Sequence, residues 1–142
     1  MTYSVQNLTL VADCDVLLAL AAKEKADLDF KRLSDERLRE KFAESSIAID
    51  AELQGVIAEL AAVETVLATL PEGQVREDTK DRKTRLEFRK FTLENRRETS
   101  GTVALLGKEM DIERTNGEIA EVDGFIAAID ARKTAIISQP PN

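Results

Sequence analysis

Nine Lys and Arg residues crowd the stretch from Arg76 to Arg97, and four of them, Arg82, Arg85, Arg89 and Arg96, recur at helical spacing on one face. Guanidinium groups in such a stripe could track a phosphate backbone, with Phe88 and Phe91 either stacking on bases or filling a core. Two features weigh against nucleic acid. Glu77, Asp78, Asp81, Glu87, Glu94 and Glu98 are interleaved with the bases, and the 142-residue chain carries a formal charge of -7, whereas phosphate contact needs a basic excess.

The same pattern has an intramolecular explanation. Between Lys41 and Arg76 there is no Lys or Arg, while Glu44, Asp50, Glu52, Glu59, Glu64 and Glu72 are all acidic. If the chain turns back near residue 73, positions whose numbers sum to about 146 face one another, which brings Asp50 near Arg96 and Glu64 near Arg82. The basic arm then complements the acidic arm and sets their register.

Other chemistry finds little to work with. The chain has no His, which removes Ser/His/Asp and Cys/His nucleophilic sites, imidazole-ligated zinc and the Glu-x-x-His pairs of di-iron bundles. A single Cys, Cys14, builds neither a thiolate metal site nor an internal disulfide. Phosphate-binding Gly loops and Asp-rich calcium loops are missing. Carboxylate pairs remain at Asp13 and Asp15, Glu109 and Glu113, and Glu118 and Glu121, but acids this frequent in a helical chain ordinarily face solvent. The expectation is a protein with no catalysis, no cofactor and no metal.

The elements that would position these residues are helices. Only 4% of the chain is aromatic, Trp is lacking, and 33% is charged, a composition of Ala, Glu, Lys, Leu and Arg that suits long helices with an aliphatic seam. Pro71 and Gly73 mark a turn at residues 71 to 74, which divides one helical domain, residues 1 to 142, into arms 9–70 and 75–137. Ser138 to Asn142 is expected to be a disordered tail. The N-terminus lacks a basic region before an apolar one, and no window has the ~18 apolar residues of a membrane span, so a cytoplasmic location is expected. Asn7-Leu8-Thr9 then reads as a helix start capped by Asn7 or Thr9 rather than as a glycosylation sequon.

Both arms carry a seven-residue apolar period. In the first, Cys14, Ala21, Leu28, Phe42, Ile49, Val56, Val63 and Leu70 keep one phase, interrupted only by Asp35. Leu10 and Leu17 supply four-three partners with a gap at Glu24, and Leu53, Leu60 and Leu67 complete the pattern later without a gap. In the second, Leu105, Ile112, Ile119 and Ile126 form one series and Val122, Ile129 and Ile136 another. Gly107, Gly117 and Gly124 weaken this helix by about 1 kcal/mol each without shifting its phase.

The expected fold is therefore all-α, a long antiparallel helical hairpin or coiled coil. The alternative is a compact four-helix bundle with breaks near 33–35, where Ser34 would cap and Leu33 would staple to Leu38, and at 99–102, where Thr99-Ser100-Gly101-Thr102 disfavours helix. The sign of the stability change in Gly101→Ala locates the second break. Ile57 and Val66 widen the apolar stripe beyond what one helix covers, which points to a homodimer.

Three functions follow in order of support. The first is a non-catalytic interaction or scaffold protein that self-associates through the seam of Ile49, Val56, Val63, Leu70, Leu105, Ile112, Ile119 and Ile126. The second is a small bundle that binds an apolar ligand among its helices. The third is weak nucleic-acid contact through the Arg stripe, and an acidic turn at Glu72 could also meet a protein partner.

Overall fold

Between Val11 and Leu67 the sequence holds no Pro and a single Gly, so nothing local stops a helix once it has started. In the computed structural model, which describes residues 2 to 139, this stretch is one 57-residue helix, α1 (Val11–Leu67). It is followed by α2 (Gln74–Thr99) and α3 (Thr102–Ile137), and a 3-10 turn at Val5–Asn7 precedes them. Among the described residues there is no strand, so the fold is all-α. Contacts gather into two units, one formed by the chain up to Glu36 and from Met110 onward, the other by Arg37–Glu109.

In the second unit α1 ends at the turn and α2 returns antiparallel along it. Ile49, Leu53, Leu60 and Val63 are buried from α1, with Val56, Leu67 and Leu70 half-buried beside them. The inward positions of α2 are Arg76, Thr79, Lys83, Leu86, Lys90 and Leu93, of which only two are apolar and only Leu93 is buried. Hydrophobic attachment of α2 therefore rests on two leucines, Leu93 buried and Leu86 half-buried. Charged side chains reinforce it along both edges of the seam.

The turn at 68 to 73 is closed by a contact that reaches across it. The Arg76 guanidinium donates from Nη1 to the carbonyls of Leu67 and Leu70, both at 2.8 Å. The last turn of α1 contains no base of its own, so a residue from the next helix satisfies its terminal carbonyls and faces its negative dipole end. Gly73, with φ at 151°, takes up the backbone conformation that side chains resist. Arg76→Gln should lower stability by about 1–2 kcal/mol, measured by urea denaturation, because two charge-assisted bonds are lost at once.

The other unit pairs the first part of α1 with α3. Cys14, Ala21 and Leu28 are buried from α1, and Ile112, Thr115, Ile119 and Ile129 from α3. The N-terminal segment lies against this pair. The Tyr3 ring meets Phe125 edge-on at 5.0 Å between centroids, and Arg132 donates to the backbone carbonyls of Leu8 and Gln6.

Several expectations are corrected. α1 continues without a break through residues 33–35, because the heptad phase continues there and Asp35 itself is buried at 7% exposure. Leu33 and Leu38 remain exposed, so no staple forms, and the four-helix alternative loses its first break. The second break is present at Ser100 and Gly101, between α2 and α3. At the start of α1 the carbonyl of Leu10 accepts from Cys14 N–H, which puts Leu10 rather than Asn7 or Thr9 at the cap position. Residues 140–142 of the expected tail lie outside the described residues, while Ser138 and Gln139 close α3 by bonding to Thr134 and Ile136.

Candidate functional site

The basic stretch of α2 is spent largely on α1. Arg82 meets Glu59 at 3.6 Å and Arg89 meets Glu52 at 2.7 Å along one edge of the seam, while Lys83 meets Glu64 at 3.8 Å and Arg97 meets Asp50 at 3.7 Å along the other. The numbers of the paired residues sum to 141 on the first edge and 147 on the second, so the expected value of about 146 falls between them. Two named pairs are displaced by one residue. Asp50 takes Arg97 rather than Arg96, and Glu64 takes Lys83 rather than Arg82, Arg97 being an exposed base that continues the seven-residue series of Arg76, Lys83 and Lys90. Each exposed pair contributes only about 0–1 kcal/mol, which fits a role in register more than in stability.

The four-arginine stripe is thus divided. Arg82 and Arg89 are turned toward α1, whereas Arg85 and Arg96 are exposed and, among the described residues, have no ion pair. Phe88 and Phe91 stand at 70% and 59% exposure on the outer side of α2, so neither fills the core. Glu72 is exposed in the turn. Of the expected seam residues, Ile49, Val63, Ile112 and Ile119 are buried, while Val56, Leu70, Leu105 and Ile126 are half-buried.

A second ladder lies in the other unit. Lys25 meets Asp123 at 2.6 Å, Arg32 donates to Asn116 at 3.2 Å, and Lys133 meets Asp15 at 2.6 Å, every pair summing to 148. Lys25 and Arg32 occupy the series of Leu18, which is the true partner phase to Cys14, Ala21 and Leu28. The expected series of Leu10 and Leu17 is corrected accordingly, Leu10 being exposed and Leu17 half-buried. A search for apolar residues passes over a seam position filled by Lys or Arg. The signal was nonetheless present as bases seven apart, Lys25 and Arg32, opposite polar groups seven apart, Asn116 and Asp123.

Beside this ladder, on the flank where Tyr3 sits, is an open groove of about 550 Å³. Its apolar walls are Leu17, Leu20, Ala21, Val122 and Phe125, and Glu24, Asp27 and Glu121 stand at the edge with Lys23. The Tyr3 hydroxyl donates to Glu121 Oε1.

Three protonation equilibria in this unit move the same way. The hydrogen bond to Glu121, then burial and the carboxylate charge, pushes the Tyr3 phenol above its ordinary 10.0. Lys25 is raised above 10.5 chiefly by its bond to Asp123, and Lys133 chiefly by its bond to Asp15. A raised pKa means the folded form holds its proton longer, so the stabilisation is complete below the ordinary values and is lost as pH rises through the folded ones. Thermal melts taken upward from pH 9 should show a declining midpoint once pH passes 10.0 to 10.5, with a shallower decline in Tyr3→Phe.

Among the described residues no helix is long and apolar enough to cross a membrane, and no cluster of three or more acidic or Cys side chains could hold a metal ion. What the fold and its surface define is a class, the all-α proteins built on antiparallel helix pairs with charged edge ladders. No family model, curated protein or solved structure matches the chain.

Proposed function

We propose that the chain is a non-catalytic helical scaffold that self-associates, as a homodimer in its simplest form. One observation carries the reading, namely that α1 offers an apolar stripe wider than α2 covers. Ile57 and Val66 stay exposed next to the seam, at 39% and 47%, while α2 brings a single buried residue against it. Exposed apolar surface of this kind marks interaction sites in proteins that remain in solution. A cytoplasmic setting fits the one thiol, Cys14, which is buried and unpaired.

The test is molar mass by sedimentation over a wide range of concentration. A mass approaching twice the 15.7 kDa of one chain supports self-association, and a mass of one chain at every concentration refutes it. The apolar-ligand reading gains less support, since the 550 Å³ groove is an open flank rather than an enclosed bundle core.

A further inference from the structure

Two surface features, one in each unit, are both apolar and opposite in the charge at their edges. The groove beside Tyr3 has apolar walls from Leu17, Leu20, Val122 and Phe125 and a predominantly acidic edge, with Glu24, Asp27 and Glu121 against Lys23. Among the described residues Glu24 and Asp27 have no ion pair. The outer side of α2 presents the reverse arrangement, Phe88 and Phe91 one turn apart and exposed, flanked by the unpaired Arg85 and Arg96. We propose that this basic aromatic face of α2 in one copy of the chain docks into the acid-edged groove of a second copy.

The inference rests on the self-association reading above and adds to the stripe of Ile57 and Val66 a second pair of surfaces. Tyr3 and Phe125, both lining the groove, already meet edge-on, so aromatic packing is part of its wall. A ridge of two phenylalanines at i and i+3 suits a trough that runs along a helix pair, in the manner of helix-in-groove recognition. Exposed arginines beside carboxylates without partners then fix the orientation and steer the encounter.

A charge swap tests it. One variant carries Arg85→Glu with Arg96→Glu, the other Glu24→Lys with Asp27→Lys, and all four sites are exposed, so circular dichroism melts should match the parent chain. Sedimentation should show association of each variant alone weakened by about tenfold or more, and an equimolar mixture of the two should restore it. The double variant Phe88→Ala with Phe91→Ala should weaken association similarly while melting normally. If the parent chain associates but either charge variant matches it, or the mixture fails to recover, the proposed docking is wrong and the scaffold reading stands. A parent chain that is monomeric throughout removes both.

Discussion

Leu93→Ala should destabilise the protein by about 2–5 kcal/mol, with the loss concentrated in α2. Leu93 is the one buried side chain of that helix, at 1% exposure, and the other inward positions are largely Thr, Lys and Arg. Truncation removes the transfer energy of the side chain and leaves a cavity between α1 and α2 that two helices held by surface ion pairs are poorly placed to refill. Hydrogen exchange should therefore accelerate across Gln74–Thr99 before it changes in the part of α3 that pairs with the first half of α1. Phe88→Ala is the matched control. It removes a larger side chain from the same helix, but at 70% exposure the expected effect on stability of the isolated chain is within about 0.5 kcal/mol. Equal effects from the two substitutions would mean that the inward face of α2 has been assigned wrongly.

What was legible in the sequence was the information carried by period and punctuation. Of the series that keeps one phase over many turns, Cys14, Ala21, Leu28, Ile49 and Val63 are buried and Phe42, Val56 and Leu70 are half-buried. Asp35, the exception in that series, is buried with them, because a side chain's face is decided by helix phase before it is decided by polarity. Pro71 and Gly73 located the turn. Less legible was anything that depends on which of two adjacent residues faces the seam. Choosing Arg96 over Arg97, or Leu17 over Leu18, requires the partner helix's rotation, which a single strand of text does not contain. The misassignment of the second phase in the first arm has a specific source, since its inward positions there are Lys25 and Arg32, whose aliphatic stems can lie along a seam while their charges reach Asp123 and Asn116. Arg76 was visible only as a member of a basic run. Its bonds back to α1 depend on turn geometry, which links residues 67, 70 and 76 in space.

Gly101→Ala separates a broken second arm from a continuous one by the sign of its effect. In an uninterrupted, exposed helix the change would add about 1 kcal/mol of stability, since Ala loses less backbone entropy than Gly and favours helix. In this structure Gly101 is buried at the junction of α2 and α3, and a Cβ there would stand 2.7 Å from Arg97 Cα and 3.2 Å from Arg97 O. Those are backbone atoms, so no side-chain rotation relieves the overlap; the junction must open or the two helices must rotate against each other. The disturbance also reaches Asp50, whose carboxylate meets Arg97 at 3.7 Å before the break and accepts from Thr102 Oγ1 at 3.5 Å after it. Forcing a methyl group into such a site should cost about 1–3 kcal/mol in urea denaturation, a loss rather than a gain. A stabilised Gly101→Ala would mean that α2 and α3 form one helix, and that Asp50 spans no break at all.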